Sequence, residues 1–483
     1  MKTSPAHEPA RTGARHEGTT PHGRRQAWLL ASLLGGMFLG NVDIAVVNVA
    51  IPSIRDRLHA TGGELELIVS GYTLAYAMLL ITGARLGEIR GRRRTYLLGL
   101  VVFTVSSLAC GLAPNGGALV GARVVQGVGA ALMVSQVLTG IQVNFDGPAR
   151  RRALGAYTGV LGVSSVVGQA LGGVLVSADI LGTGWRPIFL VNVPIGVLLA
   201  VAAYVFLPAD EGSGQKKLDL RGVGLLSVAL FLLVTPLVLG QDAGWAPWTW
   251  GCMAASVPVF AVFAAVERGI ARRGGDPLMN VGLLARRPVA LALVSQAATR
   301  AGYFALLFVL ALYLQQGLGK SAVYAGLVPI AWVATFALVG PVLGRCGPRT
   351  RRLAAPAGSL LMAIAFAAMA AGARSTGWLV VLLAIGGVGY GAAFSGTLAH
   401  LTESVEARYA PDVSGLFNTT LQVGGTMGVA VFGTVYLGLA GPGSAPQDAF
   451  GTTNAVLAVV SVAASALILL AGRAQSTAAV RGQ

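Results

Sequence analysis

The feature of the sequence that most constrains the fold is a series of fourteen apolar stretches, separated by short polar loops. A helix that crosses a bilayer needs about 20 mainly apolar residues, and each stretch is close to that length. Charged residues make up only 11% of the chain, whereas soluble proteins contain about 25%. The sequence therefore predicts an all-α integral membrane protein, and no loop is long enough to form a separate soluble domain.

The basic residues lie mainly in the loops between the apolar stretches. The net charge of +16 is scattered through short connections, which argues against nucleic acid as a partner. Arginines concentrate in every second loop, starting with 90–94 and 150–152. Because cytoplasmic loops are enriched in Lys and Arg, this alternation predicts an even number of spans with both termini in the cytoplasm.

The N-terminus and the cysteines exclude other classes. Residues 1–26 are polar and predict a disordered cytoplasmic tail. The apolar stretch that follows is full length, so we interpret it as a first span rather than a signal peptide. Cys110, Cys252 and Cys346 have no metal-ligand spacing, which predicts buried thiols without a disulfide framework or a metal site.

A basic, glycine-containing turn occurs twice. Residues 83–94 (GARLGEIRGRRR) follow the second span, and the partly similar residues 340–349 (GPVLGRCGPR) follow the tenth. Parallel repeats are common in transporters. We therefore expect a six-helix bundle at 27–207, an inserted helix pair at 208–287, a second six-helix bundle at 288–472 and a cytoplasmic tail at 473–483.

Polar residues inside the spans predict functional sites. Asp43 is the only carboxylate well inside a predicted span, and Arg123 lies in the fourth span. Charged groups in a bilayer are costly and are usually functional, although both could be permanently paired structural residues. At 100° per residue, Asn41 and Asn48 share one helix face and Asp43 points about 160° away, so we expect the acid to face a cavity.

Small and polar residues form further stripes. In the fifth span, Gly155, Gly159, Gly162, Gln169 and Gly173 fall on one face and predict a close helix contact, with Gly168 off that face. Simple tight packing is the alternative. Polar faces in the fourth, ninth and thirteenth spans predict a substrate cavity lined by Gln126, Gln296, Thr299, Arg300, Tyr303, Asn418, Gln422 and Thr426.

Taken in order, these motifs resemble the fourteen-span drug:proton antiporters of the major facilitator superfamily, over residues 27–470. The resemblance implies the major facilitator fold and proton coupling through Asp43 and Arg123. It implies a gate at the first turn, in which an acidic residue locks the closed state. Glu88 stands where Asp is typical and Ile89 where Arg is typical, so the acid could pair with Arg90 instead. The alternative is that the arginines of residues 90–94 serve only as topology signals. The gating residues are Gly83, Gly87, Glu88, Arg90, Gly91 and Arg92.

The resemblance also connects the fifth span with export. Residues 168–173 (GQALGG) resemble the antiporter signature, with Gln169 where Pro is common. The residues assigned to this antiporter seam are Gly155, Gly159, Gly162, Gly168, Gln169, Gly172 and Gly173. Residues 185–196 resemble a family marker at the start of the sixth span, and we assign them a structural role.

We therefore expect a monomeric bacterial plasma-membrane protein that exports small lipophilic drugs or natural products. The proton gradient would supply the energy, and the absence of a Walker-type run argues against a nucleotide cofactor. Proton-coupled nutrient uptake and an integral membrane enzyme are the alternatives, but no catalytic motif is present. With Asp43 paired to Arg123, the cavity would carry the charge of Arg300, which predicts neutral or weakly acidic substrates.

Overall fold

The computed structural model describes residues 21–179, 182–210, 212, 219–240, 243–320, 322–372, 376–440 and 445–481. Among them are fourteen helical segments long and apolar enough to cross a membrane. The helices of the first half are α1 (Pro21–Leu58), α2 (Gly62–Arg90), α3 (Arg92–Gly111), α4 (Gly116–Asn144), α5 (Gly147–Ser177), and α6 (Pro187–Leu190) with α7 (Asn192–Phe206).

The inserted pair is α8 (Leu220–Leu239) and α9 (Pro247–Arg272), and the short α10 (Gly282–Ala285) lies in the connection that follows. The helices of the second half are α11 (Arg287–Leu312), α12 (Ala322–Leu327) with α13 (Ile330–Leu343), α14 (Pro348–Ala370), α15 (Thr376–Ser404), α16 (Ala410–Leu439) and α17 (Pro446–Arg481).

The helix bounds correct two expectations. The predicted tail 1–26 is wrong at its end, because α1 begins at Pro21; residues 1–20 lie outside the described residues. Helix α9 continues to Arg272 and buries a second acid, Glu267. Asp43 is therefore not the only buried carboxylate in a membrane helix.

The two halves repeat the same packing. In the first half α2 and α3 pack on α4, α1 packs on α5, and α7 packs on α3; in the second half α13 and α14 pack on α15, α11 packs on α16, and α17 packs on α14. The arrangement predicted from the repeated turn is confirmed: two six-helix bundles with an inserted pair. It agrees with the major facilitator fold that the resemblance implies.

Two joints connect the halves. At one joint α5 packs against α13 and, to a smaller extent, against α15; at the other, α2 and α4 pack against α16. The inserted helix α8 packs on α9 and also on α2 and α16, so the inserted pair lies beside one of the two joints.

Many large apolar side chains face outward, such as Leu198, which is 70% exposed, and Val459, which is 69% exposed. Apolar surface of this extent is unfavourable in water. It suits hydrocarbon, which agrees with the spans identified by length and composition.

Candidate functional site

A cavity of about 640 Å³ lies between the halves. Its walls come from the C-terminal part of α1, the N-terminal part of α2, the middle of α5, α11 and α16, with Leu237 of the inserted pair and Phe336 of α13. A volume of this size holds a drug-sized molecule. We call the end of the bundle that carries residues 83–94 the motif end; the cavity extends away from it.

At the motif end the halves are in close contact. A Cβ atom built on Gly155 of α5 would lie 2.5 Å from the carbonyl oxygen of Gly340 in α13, and one on Gly162 would lie 2.7 Å from Cβ of Ala337. At the other joint the Ser414 hydroxyl donates to the carbonyl oxygen of Ser135 over 2.9 Å. Small residues permit this backbone approach, so the motif end is closed.

The seam residues divide between two contacts. Gly155, Gly159 and Gly162 face α13 across the joint between the halves, whereas Gly168 and Gly172 face α1, where a Cβ on Gly168 would lie 2.6 Å from Cβ of Ala45.

Among the described residues, no atom outside the adjacent turns of α5 lies within 4 Å of a Cβ built on Gly173. The expectation that Gly173 belongs to the close contact is therefore wrong. Gly168 lies off the face that meets α13, as expected, but it makes a close contact of its own with α1. Helix α5 touches two different partners along its length, which a single-face projection cannot separate. Gln169 lines the cavity.

Asp43 lies in a buried polar cluster inside the first half. The guanidinium of Arg123 donates through Nη1 to Oδ2 of Asp43, and neither side chain is more than 1% exposed. Gln126 and Asn192 each donate to Oδ1 of Asp43 over 2.9 Å. Arg123 also donates through Nε to the carbonyl oxygen of Ile68 over 3.0 Å. The carboxylate is thus held by a cation and an amide from α4 and by a second amide from α7.

The expectation that Asp43 faces the cavity is wrong. Asn41 lines the cavity with Ile44 and Ala45, while Asp43 points into the bundle, where it meets Arg123. The helical wheel gives only the angle between the side chains of α1. The positions of the neighbouring helices decide which face of α1 lines the cavity. The side chain of Asn48 lies outside the described residues.

Four of the eight predicted cavity residues line the cavity: Arg300, Tyr303, Gln422 and Thr426. The other four do not. Gln126 belongs to the Asp43 cluster; Gln296 and Thr299 are buried in the second half, where the Thr299 hydroxyl donates to the carbonyl oxygen of Ser295. Asn418 accepts a hydrogen bond from Tyr157 across the closed end. Polar residues that share a face of α11, or of α16, are therefore divided between the cavity and a second, buried site.

Arg300 brings a positive charge to an aromatic wall. Its Nη1 donates to the Tyr390 hydroxyl over 2.9 Å, and its guanidinium carbon lies 4.4 Å from the ring centre of Phe304 and 5.7 Å from that of Tyr303. Among the described residues no carboxylate forms an ion pair with it. The cavity thus offers a cation together with hydrogen-bonding and aromatic groups.

The turn at 83–94 holds helices together, and Arg90 does not supply its ion pair. Glu88 pairs with Arg85, whereas Arg90 is exposed. Arg85 also lies 3.7 Å from Asp276, in the connection after the inserted pair. Cβ atoms on Gly83 and Gly87 would collide with α4, at the side chains of Ser135 and Gln136 respectively.

Sequence reasoning missed the acid that caps α3. Gly91 has a φ of 95°, which favours glycine, and the N–H groups of Arg92 and Arg93 donate to the Asp210 carboxylate over 2.9 and 3.2 Å. The Arg92 guanidinium also lies 3.5 Å from that carboxylate. Asp210 follows α7 and is 118 residues from Arg92, so no local pattern indicated the contact.

Residues 33–429 match the model of the Major Facilitator Superfamily. The chain belongs to this superfamily. The predicted family is confirmed, and its curated relatives are transporters rather than enzymes.

Several major facilitator proteins that this chain resembles are named for antibiotics. A probable actinorhodin transporter of Streptomyces coelicolor is 35% identical, with 93% of this chain and 78% of that protein covered. The tetracenomycin C resistance and export protein of Streptomyces glaucescens is 33% identical, over 86% and 76%. The cephamycin export protein of Amycolatopsis lactamdurans is 34% identical, over 88% and 87%. The chain is thus a multi-pass plasma-membrane transporter with antibiotic and multidrug exporters among its relatives.

Solved structures agree on the fold. The human organic anion transporter MFSD10 has a TM-score of 0.65 at 15% identity, with 92% of this chain and all of that chain covered. The proton:xylose symporter XylE has a TM-score of 0.61 at 15% identity, over 91% and 95%.

Proposed function

We propose that this transporter exports small, largely apolar natural products or drugs from the cytoplasm in exchange for protons. The observation that carries the proposal is the buried ion pair between Asp43 of α1 and Arg123 of α4. In α1, Asp43 directly precedes the cavity-lining residues Ile44 and Ala45. Names given to the relatives, several of which are exporters, support the direction of transport. The proton gradient would be the energy source, and the working unit would be a monomer in the bilayer.

A proton on Asp43 would remove the negative charge that faces Arg123. Leaving one partner of a buried pair without its countercharge costs about 3–5 kcal/mol, so protonation favours a rearrangement that gives Arg123 another partner. Arg123 also holds the backbone of α2 at Ile68, whose neighbours Val69 and Ser70 line the cavity. This backbone contact provides the route from protonation to the shape of the cavity.

Alternating access would use the two joints between the halves. With the motif end in the cytoplasm, as the loop charges predict, the present arrangement is open to the outside and closed to the inside. Opening to the cytoplasm requires α5 to part from α13 and α2 to part from α16. Gly155 meets the backbone of Gly340 and Pro341, and Gly162 meets the methyl group of Ala337 and the ring of Phe336. Helices that approach through small residues suit a joint that must open and close.

The cavity chemistry favours neutral or weakly acidic aromatic substrates. Tyr303 and Phe304 offer ring faces, and Gln422 and Thr426 offer hydrogen bonds. A cationic substrate would need a compensating carboxylate, and no Asp or Glu lines the cavity among the described residues.

The test of coupling is Asp43→Asn, which keeps the shape of the side chain and imitates its protonated form. In everted vesicles with an imposed pH gradient, we expect proton-driven transport to be lost while exchange of labelled for unlabelled substrate continues. Asp146→Asn is the matched control, because Asp146 is an exposed acid whose side chain is 92% accessible. Proton-driven transport at the parental rate in Asp43→Asn would contradict the assignment and direct attention to Glu88.

A further inference from the structure

Two acids meet at the motif end of the inserted pair, outside the cavity. Asp219 precedes α8 and caps it, and Glu267 lies near the end of α9. Glu267 is 1% exposed, and the two side chains are within hydrogen-bonding distance of each other. A buried carboxylate normally has a cation beside it, but here the neighbour is a second acid.

Each acid has one oxygen bound to a backbone N–H and one oxygen without a donor. Oε2 of Glu267 accepts from the N–H of Met279 over 3.1 Å, and Oδ1 of Asp219 accepts from the N–H of Arg221 over 3.0 Å. The buried atoms Oε1 of Glu267 and Oδ2 of Asp219 have no donor among the described residues. Both oxygens face Gly222, where a built Cβ would lie 2.6 Å from Oδ2 and still closer to Oε1.

The placement of Oε1 of Glu267 beside Oδ2 of Asp219 is favourable when one of the two carboxyl groups carries a proton. An ionised carboxylate only accepts hydrogen bonds, so two ionised groups in this arrangement would repel each other and leave both oxygens unsatisfied. One proton between Oε1 and Oδ2 turns the repulsion into a charge-assisted hydrogen bond, which is among the stronger kinds. We propose that Asp219 and Glu267 form a second proton-binding site, which holds one shared proton and is separate from the Asp43 cluster.

Other charged groups nearby are directed elsewhere. Arg268 on α9 lies on the wall of a separate apolar cavity that opens between the inserted pair and α16, and Arg221 on α8 is exposed. In the connection after α9, Asp276 lies beside Arg85 of α2, and Asp412 of α16 accepts from the N–H of Asn280. Asp219 is the only charged group whose interaction with Glu267 is resolved among the described residues.

The site anchors a connection that touches both halves. Residues 273–286 contact α2 through Asp276, α9 through Met279 and α16 through Asn280. Loss of the shared proton would place two negative charges side by side under this connection, and their repulsion would move Glu267, which holds the N–H of Met279, away from Asp219. The attachment of residues 273–286 to α9 therefore depends on pH, and this dependence does not rest on the proposed export.

Infrared difference spectroscopy tests the shared proton directly. The purified transporter in lipid nanodiscs at neutral pH is compared with Glu267→Gln, which removes one carboxyl group without changing its shape. We expect the difference spectrum to contain one carbonyl-stretch band of a protonated carboxylic acid. Glu406→Gln is the matched control, since Glu406 is an exposed acid paired with Arg408; its difference spectrum should contain carboxylate bands only.

Asp219→Asn distinguishes a shared proton from a Glu267 that is neutral through burial alone. The N–H of Arg221 fixes the amide oxygen at the position of Oδ1, so the NH₂ group faces Glu267 and donates to it. Glu267 then becomes ionised, and the acid band should disappear. Persistence of the band in Asp219→Asn would overturn sharing, even if Glu267→Gln failed to fold.

Two further results would overturn the proposal. One is a Glu267→Gln difference spectrum that contains only carboxylate bands at neutral pH. The other is a set of carboxylate bands from the pair that shift when sodium or magnesium is exchanged for a large organic cation, since this would identify a metal ion in place of the proton. Neither result depends on transport, so failure here is distinguishable from failure of the proposed export.

Discussion

Gly155→Ala tests whether the joint between α5 and α13 must close for transport. The added Cβ would lie 2.5 Å from the carbonyl oxygen and 3.0 Å from the carbonyl carbon of Gly340, well inside an ordinary contact, and backbone cannot rotate away as a side chain can. Overpacking of this kind costs about 1–3 kcal/mol. Because about 1.4 kcal/mol is a factor of ten, the equilibrium should move away from the state closed at the motif end by roughly 5- to 150-fold.

The matched control is Gly173→Ala on the same helix, where the part of the chain that the structure describes places no neighbouring helix within 4 Å of the new Cβ. Both variants gain the same helix propensity from Gly to Ala, which is about 1 kcal/mol, so the difference between them isolates the contact. Spin labels at Arg152→Cys and Arg349→Cys, both exposed and in different halves, report the separation of the halves at the motif end after the native cysteines are replaced.

We expect a larger population of long label distances and slower transport in Gly155→Ala, with parental behaviour in Gly173→Ala. Equal distance distributions and transport rates in the two variants would refute the reasoning, because they would mean that the close contact between α5 and α13 tolerates a methyl group.

Three further predictions concern substrate charge, helix capping and topology. Arg300→Gln should lower the export of an acidic aromatic compound relative to a matched cationic one by about 10- to 150-fold, since a hydrogen bond to a charged group contributes about 1.5–3 kcal/mol. Arg345 is an exposed arginine, so Arg345→Gln should leave the ratio of acidic to cationic export unchanged. An unchanged ratio in Arg300→Gln would refute the role of the cation. Asp210→Ala should destabilise the first half by about 0.5–2 kcal/mol through loss of the cap on α3, while Asp210→Asn should recover most of the lost stability. Equal unfolding midpoints in denaturant for the parent and the alanine variant would contradict the capping role. A cysteine at Ala243 should react with a membrane-impermeant maleimide from outside only, and one at Arg273 from the cytoplasm only; the reverse pattern would invert the topology.

The sequence by itself determined the class of fold. Fourteen apolar stretches leave only membrane helices as an arrangement that satisfies every backbone group in hydrocarbon. The repeated turn at 83–94 and 340–349 then predicted two six-helix units with an inserted pair between them. These conclusions depend on length, hydropathy and repetition, which are properties of the chain that need no knowledge of which helices touch.

The sequence also identified the charges that matter, since Asp43, Arg123 and Arg300 are conspicuous in apolar surroundings. Only the tertiary structure decided what each one contacts. A helical wheel gives the angle between Asn41 and Asp43, but the neighbours of α1 decide that the amide lines the cavity and the acid meets Arg123. In the same way α5 presents Gly162 to α13 and Gly168 to α1, although both are glycines of one helix.

Contacts between distant parts of the chain were beyond sequence reasoning altogether. Asp210 caps α3 from 118 residues away, and the partner of Glu267 is Asp219, at the far end of the inserted pair. Both pairs exist because helices that are separated in the chain end at the same level of the membrane. Hydropathy fixes that level only to within several residues, whereas a hydrogen bond requires atoms to be placed within a fraction of an ångström, and only packing in three dimensions supplies that precision.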